Sequence, residues 1–245
     1  MMGNDDFAVP DLPPLQPVSR AKGRLGLFAD MVATQPTVLL LDFWMKWHKA
    51  SGQVAAPFVI STMAGVPVLQ CRGYRGEHWT KKRAIHDTKG NRLFRLSAKT
   101  TDGCRYTGRD GEDKELFRLY GNSTSALQVE FVDKFSLRPA ILHIQGGHAR
   151  KVVNITCDGQ VVARTRRWDG HDKTYGRTTY RLEVAQGVDI ALLAAIAICL
   201  DEQEKATRSS GSYDAASGGA TSSGGGAFRD PVHVDPSGGV VTEGR

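Results

Sequence analysis

The chain has 245 residues, of which 40% are hydrophobic and 24% are charged, and it carries a formal net charge of +6. This composition excludes a wholly disordered chain, and the length allows one large domain or two small ones. No apolar run reaches the roughly 17–25 residues of a membrane-spanning helix. The N-terminal sequence MMGNDDFAVPDLPP lacks the cationic and apolar stretches of a secretory signal. We therefore expect a cytoplasmic protein, and the positive charge points to anionic partners.

Residues 1–24 are expected to form a flexible N-terminal segment. The prolines that favour an extended chain there are Pro10, Pro13, Pro14 and Pro17. The folded body then spans residues 25–204. It contains no linker rich in glycine, serine or proline, so we expect a single domain.

Within this body, apolar and polar residues alternate with the period of β-strands that bury one face. The pattern is clearest over residues 127–131, 153–157 and 180–184. At the usual spacing of strand plus turn, residues 36–186 predict about a dozen strands.

Three stretches share one plan, in which a short turn with glycine joins two apolar strands. They read PFVISTMAGVPVLQCR, RAIHDTKGNRLFRL and VNITCDGQVVARTR. In the third, Asp158-Gly159 is a strong signal for a type I′ hairpin. The repetition predicts a meander-like, all-β body.

The segment GVDIALLAAIAICLDE predicts one helix, over residues 189–202. Residues 190–200 are all apolar and rich in Ala and Leu, and Asp189 stands at the N-cap position. The acids from Asp201 onwards are expected to mark a return to solvent. The expected core positions of this helix are Asp189, Ile190, Leu192, Leu193, Ile196 and Leu200.

This helix is apolar on every side, so it must be surrounded. Its apolar part would be about 16 Å long, which is too short to span a bilayer. A closed antiparallel barrel of about a dozen strands would enclose it and would remove exposed strand edges. A membrane-inserted C-terminal anchor is the alternative. Residues 205–245, rich in Gly and Ser, are expected to be a disordered tail.

Basic residues supply the one functional signal with physical weight. They are dense over residues 72–109, and a second cluster follows at 164–167. A basic outer face gains about 1 kcal/mol per Lys or Arg at an anionic membrane surface, and Trp79 could lie at that interface. A solvated exterior without a partner and an acidic protein partner remain open, and nucleic acid is disfavoured. The candidate anionic-ligand residues are Arg72, Arg75, Lys81, Lys82, Arg83, Arg164, Arg166 and Arg167.

Motifs for catalysis or metal binding are not evident. The cysteines are too far apart for a zinc site: Cys71, Cys104, Cys157 and Cys199. His143 and His148 flank a Gly-Gly pair without a third ligand. The run at 169–172 leaves a weak cation site as a minor alternative. We expect no enzymatic activity, no cofactor and no metal.

The hairpins KGNRLFRL and CDGQVVAR, and above all the stretch YRLEVAQGVDIALLAAIAICLDE, resemble the LURP-one-related proteins, which share the tubby C-terminal-like fold with phospholipid scramblases. The likeness covers about residues 36–203. It implies a roughly twelve-stranded barrel around a central C-terminal helix. The departures are the acidic insertion GRDGEDKE at 108–115 and the Gly/Ser tail.

The resemblance implies a non-catalytic intracellular protein, and the basic residues suggest that it binds anionic phospholipid or phosphoinositide headgroups. The alternative is a phospholipid scramblase-like membrane protein, although the sequence has no scramblase-like calcium loop. We expect a monomer, cytoplasmic or peripheral at membranes.

Overall fold

A computed structural model describes residues 12–42, 58–75, 81–98, 104–123, 126–146, 152–167 and 179–210. The compact unit Met1–Arg208 contains every described strand. Of the second unit, Ser209–Arg245, only the last two residues of a helix are described.

Within these ranges the chain forms a closed barrel of twelve strands. The strands are β1 (Thr37–Asp42), β2 (Phe58–Thr62), β3 (Pro67–Arg75), β4 (Lys81–Asp87), β5 (Arg92–Ala98), β6 (Cys104–Arg109), β7 (Glu115–Ser123), β8 (Ala126–Asp133), β9 (Arg138–Gln145), β10 (Val152–Cys157), β11 (Gln160–Arg167) and β12 (Thr179–Val184). Each strand pairs antiparallel with the next, and β12 pairs with β1 from Thr37 opposite Val184 to Asp42 opposite Thr179. The predicted fold class is confirmed.

The alternation read from the sequence is the alternation of burial in the strands. In β9, for example, Ala140, Leu142 and Ile144 point into the core and their neighbours are exposed. All three predicted hairpins are present, as β2–β3, β4–β5 and β10–β11. Asp158 and Gly159 have φ angles of 50° and 80°. Two successive positive values are what a type I′ turn requires, so this turn prediction is confirmed.

The helix α1 (Ile190–Ser210) runs through the barrel and continues beyond the predicted end at residue 202. Leu192, Leu193 and Ile196 are completely buried. A twelve-stranded barrel is too wide for strand side chains alone to fill, so α1 supplies the missing core. The prediction that protein encloses this helix is confirmed, and the anchor alternative is wrong. Among the described residues no helix has both the length and the apolar character needed to cross a membrane.

Five of the hairpin turns lie at one end of the barrel, which we call the turn end. They join β2 to β3, β4 to β5, β6 to β7, β8 to β9 and β10 to β11. The chain also enters α1 from this end, because β12 finishes there beside the start of β1. The last buried residues of α1 therefore lie at the opposite end.

Residues 12–33 pack against the barrel and help to cover the turn end. The backbone N–H of Val18 donates to Gln186 at 3.0 Å, and that of Leu25 donates to Gly187 at 2.9 Å. Gly187 has a φ of 90°, and a Cβ there would lie 2.2 Å from the carbonyl oxygen of Gly23. Only glycine fits this close crossing. The part of the expected flexible segment that is described thus has a packing role that its proline content did not indicate.

Candidate functional site

The first predicted basic cluster, on β3 and β4, divides between the outside and the inside of the barrel. Arg72 is exposed, with Nη2 3.4 Å from Gln70 Oε1. Arg83 instead points inward, and its Nε donates to Glu202 Oε1 on α1 at 2.8 Å. The Arg83 and Glu202 side chains are only 12% and 2% exposed, so this is a buried ion pair.

The other predicted residues of this cluster are placed only by their backbones. Arg75 pairs with Lys81 in the β3–β4 ladder, and Lys82 pairs with Tyr74. The side chains of Arg75, Lys81 and Lys82 lie outside the described residues, as does Trp79.

The second predicted cluster, on β11, lies against the N-terminal segment. Arg164 is buried, and its Nη1 donates to the carbonyl oxygen of Pro13 at 2.5 Å. Arg166 Nη2 and Arg181 Nε lie 3.3 and 3.1 Å from the same Glu183 oxygen. The side chains of Arg166, Arg181 and Glu183 line part of a cavity of about 380 Å³. The Arg167 side chain is outside the described residues.

The two predicted clusters do not form one surface. In the barrel, β3 and β11 are separated by β2, β1 and β12. The acidic insertion also neutralises part of the basic stretch, because Asp113 forms ion pairs with Arg95 and, at 2.9 Å, with Arg109.

A different set of cations is exposed and free of ion pairs within the described part of the chain. Apart from Arg72 on the side wall, all of them lie at the turn end, so we call them the turn-end cations. They are Lys22, Arg24, Lys89, Arg92, Lys114, Lys134 and Arg138. The exposed acids Glu112 and Asp30 are also at this end, as are Asp113 and Asp158, which form ion pairs with Arg109 and Arg20.

Lys89 and Arg92 belong to the basic stretch 72–109, but sequence reasoning missed the set as a group because its members are scattered along the chain. Each lies in or beside a hairpin turn, or in the N-terminal segment that packs there. The signal that could have found them is topological. Alternate turns of an antiparallel meander meet at one end, so cations in alternate turns collect there even when they are far apart in sequence.

His86 lies on the side of the barrel near Arg72 and Arg92, and the positive charges of these two residues affect its pKa. It lies on β4 between Gln70 of β3 and Arg92 of β5 in the register of the sheet. Burial lowers the pKa of His86, and the charges of Arg72 and Arg92 lower it further. Burial and cationic neighbours both disfavour a positive charge on this imidazole, so they shift it toward its neutral form.

The predicted core-helix residues serve the fold. Asp189 is fully buried, and its Oδ1 accepts the N–H groups of Ala191 at 2.8 Å and Leu192 at 3.1 Å. Its Oδ2 accepts those of Leu27 and Phe28, both at 2.9 Å. Burial raises the pKa of Asp189 to about 6, against the opposing effect of these hydrogen bonds. The carboxylate thus joins the start of α1 to the N-terminal segment.

The remaining core-helix residues differ only in how deeply they are buried. Leu200 is 5% exposed, whereas Ile190 at the helix start is half-buried.

The expected return to solvent after the apolar run is wrong. Asp201, Glu202 and Gln203 are 2–4% exposed. Acids after an apolar helix usually mark its exit into water, but here an inward-pointing arginine, Arg83, meets Glu202 inside the barrel end. The pairing joins residues 119 positions apart, so no local pattern could indicate it.

The cysteines and histidines considered as metal ligands form no metal site within the part of the chain that the structure describes. All four cysteines are buried. His143 is exposed and lines a cavity of about 290 Å³ with Tyr120 and Gln128, whereas His148 and the run at 169–172 lie outside the described residues. Among the residues that are described, no group of three or more His, Cys, Asp or Glu is placed to hold a metal ion.

A family model described as LURP-one-related matches residues 43–201, which is most of the barrel and the apolar part of the helix. No curated protein matches the sequence.

Proposed function

The chain belongs to the LURP-one-related family, and from that premise we propose that it is a non-catalytic tubby-like module whose turn end binds anionic phospholipid headgroups, phosphoinositides among them. The observation that carries this proposal is the gathering of the turn-end cations. Each Lys or Arg near an anionic leaflet contributes about 1 kcal/mol, so several acting together suffice for reversible attachment. The cytoplasmic leaflet, which is rich in anionic lipid, is the proposed site of action.

Burial and pairing distinguish the turn-end cations from three of the cations predicted by sequence density, namely Arg83, Arg164 and Arg166. Arg83 forms an ion pair with Glu202, Arg164 donates a hydrogen bond to a backbone carbonyl oxygen, and Arg166 forms an ion pair with Glu183. The Arg92 guanidinium donates to the carbonyl oxygen of Gly111 at 3.4 Å, and no carboxylate within the described ranges neutralises its positive charge. Unpaired and exposed cations attract anions without first having to break an internal contact.

Flotation with vesicles tests this proposal. The full chain should bind phosphatidylcholine vesicles that contain phosphatidylserine or a phosphoinositide, and should leave vesicles of phosphatidylcholine alone unbound. Because the attraction is electrostatic and acts at exposed sites, binding should fall strongly between low salt and about 0.5 M salt. Binding that does not change with salt concentration would contradict the proposal.

Charge reversal locates the surface. Lys89→Glu with Arg92→Glu should weaken binding about tenfold or more, since two attractive charges become repulsive. Arg72→Glu is the matched control, because it reverses an exposed, unpaired cation on the side wall. If the Arg72 variant lost binding and the double variant kept it, the face predicted from residues 72–83 would be the site and the turn end would not.

Nothing in the described residues favours the scramblase-like alternative over headgroup binding. The apolar helix is enclosed by the barrel. Reconstituted vesicles with labelled lipid in one leaflet separate the two functions, since a headgroup-binding module leaves the asymmetry of the leaflets unchanged.

A further inference from the structure

The hairpin β8–β9 exposes several apolar side chains at and near the turn end. Leu137, in the turn, is 78% exposed, and Val132, at the end of β8, is 58% exposed. Val132 pairs across the ladder with the exposed Pro139, and Ile141 lies two positions further along β9 with 39% exposure. Neighbouring exposed apolar side chains of this kind mark contact with a partner more often than single ones do.

Leu137 also has a backbone conformation that does not suit it. Its φ is 55°, in the left-handed region where a branched side chain is disfavoured. Glycine or asparagine would adopt this turn conformation without strain, and neither would expose a large apolar side chain to water. Folding alone therefore does not explain a leucine at this exposed position.

The tip that carries Leu137 is held rigidly. Asp133 Oδ2 accepts the backbone N–H of Ser136 at 3.1 Å and its hydroxyl at 2.5 Å. The other oxygen accepts the N–H of Gly26 at 2.9 Å, and the N–H of Lys134 donates back to the Gly26 carbonyl at 2.9 Å. The leucine is thus presented on a fixed scaffold, which lowers the entropy lost when it enters a partner.

Cations flank this apolar tip. Lys134 and Arg138 are exposed on either side of Leu137, and neither forms an ion pair with any residue that the structure describes. The acid at the tip, Asp133, is fully buried. Glu130, which faces Ile141 across the ladder, is further from the tip and is bonded to Gln128 at 3.1 Å.

We propose that the β8–β9 hairpin enters the interfacial layer of an anionic bilayer, with Leu137 as its deepest side chain and with Lys134 and Arg138 at the level of the phosphates. The proposal rests on the proposed function and adds an apolar anchor to the electrostatic contact. A convex apolar tip between cations complements a negatively charged, deformable surface.

Leu137→Gly in the full chain separates this role from a structural one. Glycine relieves the strain of the turn, so the melting temperature should stay the same or rise. Binding to phosphatidylcholine vesicles with phosphatidylserine should nevertheless weaken about tenfold, because the apolar contact is lost. Val59→Ser is the control, since Val59 is an exposed apolar residue on β2, away from the hairpin, and its replacement should leave binding unchanged.

A fluorophore reports insertion directly. In Leu137→Cys, an environment-sensitive dye can be attached selectively, because the four native cysteines are buried. Its emission should shift to the blue with anionic vesicles and stay unchanged with phosphatidylcholine alone.

The outcomes separate this inference from the proposed function. Salt-sensitive binding that is equal in the wild type and Leu137→Gly, with the dye still in water, would overturn insertion and leave headgroup binding intact. A wild type that binds no anionic vesicles would overturn both. Self-association without lipid that Leu137→Gly abolishes would assign the tip to contacts between copies and would also overturn insertion.

Discussion

Replacing Asp189 by alanine should greatly destabilise the fold. Its two oxygens accept four backbone N–H groups: the buried ones of Ala191 and Leu192 at the start of α1, the buried one of Leu27 and the partly buried one of Phe28. A buried donor left without an acceptor costs about 1–3 kcal/mol, so with three buried donors the loss should be about 3 kcal/mol or more. The free energy of unfolding of a domain is typically about 5–15 kcal/mol, so this is a large part of the total.

Urea unfolding followed by circular dichroism measures this loss. Glu112→Ala is the control, because Glu112 is an exposed residue of the β6–β7 turn and its replacement should change the free energy of unfolding by about 0.5 kcal/mol or less. A loss below about 1 kcal/mol for Asp189→Ala would refute the reasoning, since it would mean that the N–H groups find other acceptors without difficulty.

The same carboxyl group predicts a pH dependence. Burial raises the pKa of Asp189 from 3.8 to about 6, so folding takes up a proton between these values. The resulting stabilisation is fully present below pH 3.8 and is lost as the pH rises through 6, and it amounts to about 3 kcal/mol. Asp189→Asn does not titrate, so the stability advantage of the wild type over this variant should grow as the pH falls from 7 to 4. The opposite trend would show that the four N–H bonds outweigh burial.

Three further predictions concern the frame of the barrel. Gly187→Ala should lower the free energy of unfolding by about 3 kcal/mol, measured by thermal unfolding, because the new Cβ meets a backbone oxygen. Gly159→Ala is the control: its Cβ has open space, so the loss should be about 1 kcal/mol, from the positive φ alone. Arg83→Met should cost about 3 kcal/mol by leaving Glu202 buried without this partner, and adding Glu202→Leu should recover much of that loss; failure to recover would contradict the pairing argument. A chain ending at Gln186 should remain unfolded because it lacks the central helix, and dispersed amide resonances from such a chain would contradict this.

The fold could be predicted from the sequence because its two main patterns are local. Strands that bury one face repeat every second residue, as at 127–131, and a helix buried on all sides, as at 190–200, is apolar throughout. The closed barrel then follows, since only a surrounding sheet covers every side of such a helix.

The candidate site could not be predicted in the same way. Lys89 and Lys134 lie 45 positions apart in the sequence, and only the topology brings their turns to one end of the barrel. Conversely, Arg83 adds to a dense basic stretch in the sequence but points inward to Glu202. Charge density along the chain identifies neither the end of the barrel nor the face of the strand to which a cation belongs.

The order of synthesis gives the central helix a further consequence. The ribosome completes all twelve strands before it releases the segment that fills the space between them, and the strand pair that closes the circle, β1 with β12, joins the earliest to the latest. Contacts between such distant parts of a chain form slowly, and unfilled apolar strands on a nascent chain are prone to aggregate. We therefore expect the barrel to close only once the helix has emerged, and to depend until then on chaperones that shield its apolar strands.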